Sequence, residues 1–161
     1  MPIKWTRIDD RLIHGQVATS WLRYVNADQI IVANDKAAAN PIQVRVLKMS
    51  VPDVPVHVFG VDQFIEIYKN NPIKKSTFLF LDSTLDVLKL VEGGIEEIKS
   101  VNYGGMRSRE GRKEYRHDLC FSEAEEVALA TLQEKGIEVN YQIAAFDEPV
   151  PVWKVLESVK K

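Results

Sequence analysis

One rhythm governs what this chain can become: a short run of β-branched or aromatic residues, a polar or glycine turn, then a helical pattern, repeated throughout. Its firmest element is Thr77–Leu81, almost continuously apolar, as a central strand covered on both faces must be. Residues 3–8, 29–33, 54–59 and 98–102 read as further strands. Ile137, Val139, Tyr141 and Ile143 alternate with polar residues, which predicts a half-exposed or edge strand. Helices fill the intervals. Gly15–Val25 sets Val17, Trp21, Tyr24 and Val25 on one face. Asn40-Pro41 pairs an N-cap with a proline at the first helical position, and Val44, Leu47 and Val51 turn inward. Asp62 is expected to cap a helix carrying Ile65 and Tyr68, and Thr84 to start one with Leu85, Leu88 and Val91 inside, ended by Gly93-Gly94. Ser122 and Glu125 fit a capping box, with Ala124, Val127, Ala128, Thr131 and Leu132 buried behind it and Gly136 as C-cap. A short amphipathic helix bearing Val152, Val155, Leu156 and Val159 closes the chain. Alternating strands and helices predict the α/β class: an open, twisted, mostly parallel sheet with helices on both faces.

With 161 residues the chain has the length of a single domain over 1–161. That size buries roughly 70% of the unfolded surface and needs no disulfide or metal staple. Cys120 is the only cysteine, so a disulfide framework and a cysteine-based metal cluster are excluded. No metal and no cofactor is implied. The first five residues lack the apolar stretch of a signal peptide. Runs such as Ile30 to Ala33 fall far short of the ~20 residues a membrane span requires. A cytoplasmic protein is expected. The formal net charge of −2 argues against a dedicated nucleic-acid binder.

In open parallel sheets, sites form where strands end and helices begin. The first such loop, Arg7-Ile8-Asp9-Asp10-Arg11-Leu12-Ile13-His14-Gly15-Gln16-Val17, is the most unusual stretch of the sequence. It puts His14 directly before a helix whose first amides have no intrahelical partner, a ready anion site. Gly15 permits close approach, and Arg11 offers a planar fork of donors suited to phosphate. Asp9 or Asp10 is placed to accept one ring N–H, leaving the other nitrogen as nucleophile. A histidine that takes up a phosphoryl group, its charge met by amides and a guanidinium, is chemically sufficient, because phosphoryl transfer is mostly positioning and charge stabilisation. By residue type alone, a salt-bridged surface histidine fits the same loop.

The segment from Arg7 to Val17, continued by Ala18, Thr19 and Trp21, resembles the active-site signature of the IIB subunits of the mannose-fructose-sorbose family of the sugar phosphotransferase system. Ile30 to Val32 with Asn34-Asp35, Leu90 to Gly94, Asn102-Tyr103-Gly104-Gly105-Met106 with Gly111-Arg112, and Glu134 to Glu138 extend the likeness over nearly the whole chain. Tyr103 stands where the family pattern leads us to expect an aliphatic residue, and the stretch 144–151 matches loosely. The resemblance implies a sheet of about seven strands and a phosphoryl carrier. His14 would take the group, through Nδ1, from a phosphohistidine on a IIA protein or domain. It would pass the group to a sugar held by the membrane subunits IIC and IID at the inner face of the plasma membrane. Arg11 would hold the phosphoryl in transit and Asp10 would support the loop. Gly15, Gln16, Gly105 and Met106 would complete the phosphoryl site. Mannose, fructose, sorbose, glucose and N-acetylated amino sugars all fit within that family.

Arg107, Arg109, Arg112, Lys113 and Arg116 crowd five cations into ten residues. They read equally as a solvated loop and as a docking rim, chiefly Arg107, Arg109 and Arg112, that steers an acidic partner. His57, inside a strand, reads as a hydrogen-bonded structural histidine, and His117 as an exposed one. Asp35 and Asp82 each end a strand without a clear chemical role. Two other readings stand beside the carrier: a free-standing phosphohistidine phosphatase and a non-catalytic regulatory binding module. The sequence leaves a homo-oligomer open.

Overall fold

The computed structural model describes residues 2–160, without the side chains of residues 16, 17, 159 and 160. The chain runs β1 (Ile3–Asp9), α1 (Gly15–Val25), β2 (Gln29–Ala33), α2 (Asp35–Ala38), α3 (Pro41–Ser50), β3 (Val56–Phe59), α4 (Val61–Asn70) and β4 (Thr77–Leu81). It continues α5 (Thr84–Glu92), β5 (Ser100–Gly105), β6 (Lys113–Arg116), β7 (Leu119–Phe121), α6 (Glu123–Glu134), β8 (Glu138–Tyr141), β9 (Val150–Pro151) and α7 (Val152–Lys160). Among the described residues, seven strands form one sheet in the order β3-β2-β4-β1-β5-β8-β9, parallel except for β9. The predicted fold class and strand number both hold.

The two-residue period of the strands divides the core between two faces. Phe78 and Phe80 of β4 join Ile30 and Val32 under Trp21 and Val25 of α1 and Leu47 of α3. Leu79 and Leu81 face the other way, with Ile31 and Val101, and are covered by α4, α5, α6 and α7. Helix starts follow the capping chemistry. Asn40 accepts from the amides of Ile42 and Gln43, and Ser122 and Glu125 form the expected reciprocal box.

Three helix faces and one cap differ from the expectation. Tyr24 is 56% exposed, since β1 and its neighbours present only enough surface to seat Trp21 and Val25. Val17 and Val159 belong to the side chains outside the description. On α4 the cap is Gly60 rather than Asp62, because the Asp35 carboxylate already accepts the Val61 amide at 2.8 Å. On α5, Ser83 is the cap, and Val87 and Leu90 are buried while Leu85 is exposed. On α6 the inward face is Glu125, Ala128, Leu129 and Leu132, and Val127 is 60% exposed. That rotation follows from the ion pair Glu125 makes below the helix. The basic segment 107–116 is loop through Arg112, and its last four residues form β6, which pairs antiparallel with β7.

The topology opens one crevice. β1 leads across β4 to β2, while its other neighbour, β5, leads away to β8. Their following loops therefore part in opposite directions, the arrangement that leaves room for a ligand at the carboxyl edge.

Candidate functional site

The loop after β1 is built from alternating anchors and exposed groups. Leu12 and Ile13 are buried in the core beneath α1, while Arg11 stays half exposed. Leu12 adopts φ +58°, an uncommon left-handed conformation for a branched side chain, and its amide donates to the Asp9 carbonyl at 2.8 Å. This tight turn returns the chain so that His14 occupies the N-cap of α1 in extended conformation. His14 makes no side-chain cap bond, and the first amide donating back to it is that of Ala18. The N–H groups of Gly15, Gln16 and Val17 therefore have no intrahelical partner, and the helix dipole adds roughly 0.3–1 kcal/mol toward an anion there.

The imidazole is 23% exposed, and its Nε2 lies 3.0 Å from Asp9 Oδ2. A carboxylate only accepts, so Nε2–H donates, and in the neutral ring Nδ1 carries the lone pair. Among the described residues nothing hydrogen-bonds Nδ1. Asp9 is nearly sealed from solvent and accepts the Arg11 amide at 3.0 Å, with Arg11 Nε 3.8 Å away. Arg7, two residues back on the same face of β1, approaches Asp9 Oδ2 at 3.4 Å. Burial lowers the Arg7 guanidinium from its ordinary pKa, and Asp9 opposes that fall. Arg7 also bonds Asn102, donates to the carbonyls of Gln142 and Ile143, and lies 4.7 Å from the centre of the Trp21 ring.

Asp10 turns away from the imidazole. Its buried carboxylate accepts the Arg107 amide at 2.8 Å and the Arg107 guanidinium at 3.1 Å, and its own amide donates to the Gly105 carbonyl. It thereby ties the β1 loop to the β5 loop, while Asp9 orients the ring. Of the residues expected around a phosphoryl group, Gly15 and Gln16 open α1 directly after His14, Arg11 faces the Asp9 carboxylate that also meets the ring, and Gly105 lies beside Asp9 in the ladder. The Gln16 side chain lies outside the described residues. Met106 is corrected: it is fully buried, and its amide is spent on the Asp118 carbonyl at 2.8 Å, leaving no donor for an anion.

The basic rim is corrected as well. Arg112 is 3% exposed, its fork bound to both Glu125 oxygens at 2.8 and 2.9 Å and its Nη1 to the Arg107 carbonyl. It pins the hairpin to α6 and is not a surface group. Arg107 and Arg109 remain exposed. Tyr103 fills the hairpin's base, its hydroxyl donating to the Asp118 carbonyl, while Tyr141 donates to the Asp118 carboxylate. His57 is exposed on edge strand β3 and stacks near Phe59 with no hydrogen bond among the described residues, in place of the expected bonded histidine; His117 is exposed as expected. The Asp35 carboxylate accepts the Val61 amide at the start of α4, and Asp82 hydrogen-bonds Asp86, whose carboxyl is pushed up to about 7 by burial and by that neighbour.

Sequence reasoning passed over Arg7, Asn102 and Gln142. Two charged residues at i and i+2 on a strand that is otherwise buried were the available signal, since paired charges inside a core mark a network. Among the described residues no helix is long and apolar enough to cross a membrane.

The family model described as the sorbose subfamily IIB component of the PTS system matches residues 3–161. The chain is 36% identical over 164 residues to the mannose-specific EIIAB component of Escherichia coli K12, covering all of this chain and 50% of that one. It thus spans about half the length of that relative. It is 31% identical to the sorbose-specific EIIB component of Klebsiella pneumoniae, over 94% of this chain and 93% of the other. The crystal structure of the IIB domain of the sorbose permease from Klebsiella pneumoniae superposes with a TM-score of 0.91 at 30% identity, covering 98% of each chain.

Proposed function

The chain belongs to the sorbose subfamily of IIB components of the sugar phosphotransferase system, and from that membership we propose that His14 is its phosphoryl carrier. The observation that carries the proposal is the ring's arrangement: Nε2 is tied to Asp9, and among the described residues Nδ1 is left open at a helix start whose first amides have no intrahelical partner.

The donor is a phosphohistidine on a IIA protein or domain. His14 Nδ1 attacks the phosphorus, the donor's N–P bond breaks, and its electron pair returns to the donor ring. Asp9 offsets the positive charge that forms on the His14 ring. Arg11 and the amides of Gly15 and Gln16 hold the equatorial oxygens, and such preorganised donors act where charge develops. In the second half a sugar hydroxyl, presented by IIC and IID at the inner face of the membrane, attacks phosphorus. The Nδ1–P bond breaks, its electron pair returns to the His14 ring, and the hydroxyl proton passes to water. Asp10 and Gly105 keep the loops in register, and exposed Arg107 and Arg109 steer the acidic donor, an effect on encounter rate more than affinity. The name of the Escherichia coli relative, joining A and B components, supports a IIA partner, and this chain acts as one domain over 1–161.

The test is incubation with phosphoenolpyruvate, the general phosphotransferase proteins and a cognate IIA. One acid-labile, base-stable phosphate is expected, lost in His14→Ala and kept in His57→Ala and His117→Ala. Labelling that survives His14→Ala overturns the proposal, as does turnover of small phosphoesters without IIA.

A further inference from the structure

We infer that Arg7, which does not touch His14, is a positioning residue for it: the buried guanidinium holds Asp9, and Asp9 in turn holds the imidazole with Nδ1 open. The inference rests on the reading of His14 as the phosphoryl carrier and assigns how its geometry is set.

Asp9 Oδ2 is shared between Arg7 Nη2 at 3.4 Å and His14 Nε2 at 3.0 Å. A carboxylate this deeply buried needs a cation beside it, and Arg7, with only 3% of its side chain exposed, supplies one that solvent does not screen. Arg7 is itself fixed from three directions. Asn102 of β5 takes one nitrogen, the Gln142 and Ile143 carbonyls beyond β8 take two more bonds, and the Trp21 ring of α1 lies against the guanidinium. Trp21 Nε1 donates to the same Ile143 carbonyl at 2.9 Å, which closes the ring of contacts. On the remaining side Gly104 leaves the space the guanidinium fills, for a Cβ there would stand 2.3 Å from Arg7 Cζ. The direction of the His14 ring is therefore set by residues as far as 136 positions along the chain. Only a planar fork satisfies this set of acceptors, and a lysine, a point charge on a flexible stem, does not. Arg11, half exposed beside the same carboxylate, is free to move with a ligand. The two arginines thus divide the work into a fixed cation behind Asp9 and a mobile one in front.

The experiment is ¹⁵N NMR of the histidine rings in the full chain at about pH 8, where an unperturbed imidazole is neutral. No partner protein is needed. In the wild type His14 is expected as a single Nε2–H tautomer with a slowly exchanging, visible ring proton. Arg7→Lys and Arg7→Gln should lose that proton's protection and mix the tautomers. Phosphorylation by IIA should slow about tenfold or more, with the donor's KM little changed. Asn102→Ala, which leaves the arginine in place but frees its far side, should do the same to a smaller extent, and it decides the matter if the Arg7 variants do not fold. The inference is overturned by a wild-type ring without a protected proton. It is equally overturned by folded Arg7→Lys or Asn102→Ala protein with an unchanged ring spectrum and a rate within twofold. A wild type that is not phosphorylated at His14 sinks the carrier reading instead, and leaves the ring spectrum to be judged separately.

Discussion

Asp9 and Asp10 are neighbours in sequence with opposite duties. On a strand end, successive side chains point to opposite sides, so one carboxylate reaches the imidazole and the other reaches the β5 loop. Their substitutions should separate accordingly. Asp9→Asn removes the charge from a hydrogen bond worth about 1.5–3 kcal/mol, which predicts phosphorylation of His14 slowed roughly 10- to 100-fold in the chemical step. Asp10→Asn loosens Arg107 and should slow labelling by a smaller factor, seen mainly as a raised KM for phosphorylated IIA. Rapid-quench labelling over a range of donor concentration distinguishes the two, and equal effects would contradict the assigned division. Arg11→Ala should fold normally and transfer slowly, because its half-exposed chain contributes charge and little packing. The loop's residue types were legible from the sequence. Which of two adjacent acids meets the ring was not, since both satisfy the spacing and only the turn at Leu12 chooses.

Among the elements, the β6–β7 hairpin shows what a charge count hides. Five cations in ten residues look solvated, yet Arg112 closes a bidentate pair with Glu125 of α6, and Asp118 at the turn collects two tyrosines. Burial pushes the Glu125 carboxyl up, but the Arg112 fork and the Ser122 amide outweigh it and hold the group below its ordinary value. A depressed carboxyl adds stability above its unfolded value of about 4.5 that is lost as pH falls through the folded value. Arg112→Ala should thus strip the hairpin's anchor and leave a buried charge unpaired, a cost of about 3–5 kcal/mol. Thermal melting near neutral pH should fall by roughly 10 °C, and the variant's melting temperature should decline less steeply than the wild type's below about pH 4.5. A change within 2 °C would show that the pair contributes little. The same anchor explains why the α6 face was misplaced from sequence. Glu125 turns inward only because an arginine thirteen residues earlier meets it there, a pairing that hydrophobic periodicity does not register.

For the molecule as a whole, the carboxyl edge of the sheet gathers charges of both signs. The cationic side carries Arg7 and Arg11 against Asp9 and Arg107 against Asp10, while Asp82 and Asp86, with Asp35 contributing repulsion, meet at the starts of α4 and α5. Asp86 stands near 7, raised by burial and by Asp82, so the folded state holds its proton more tightly than the unfolded chain. The stability this adds is complete below about pH 4 and is lost as pH rises toward 7. Asp86→Asn should remove that decline, raising stability at pH 7–8 by about 1–2 kcal/mol once partial solvent exposure is allowed for. It should leave stability at about pH 4 unchanged. Melting curves across that range check the sign, and a variant less stable at neutral pH would refute it. The strands, the parallel class and the histidine loop were readable in advance because each depends on residues within a few positions of one another. The partner of the imidazole, the burial of Arg112 and Met106, and the guanidinium behind Asp9 were not. The guanidinium behind Asp9 depends on β1 pairing with β5, whose Asn102 lies 95 residues beyond Arg7. Arg112 and Met106 are buried by Glu125 of α6 and by Asp118, and the choice of Asp9 over Asp10 is made by the turn at Leu12, so each exists only once the chain has folded.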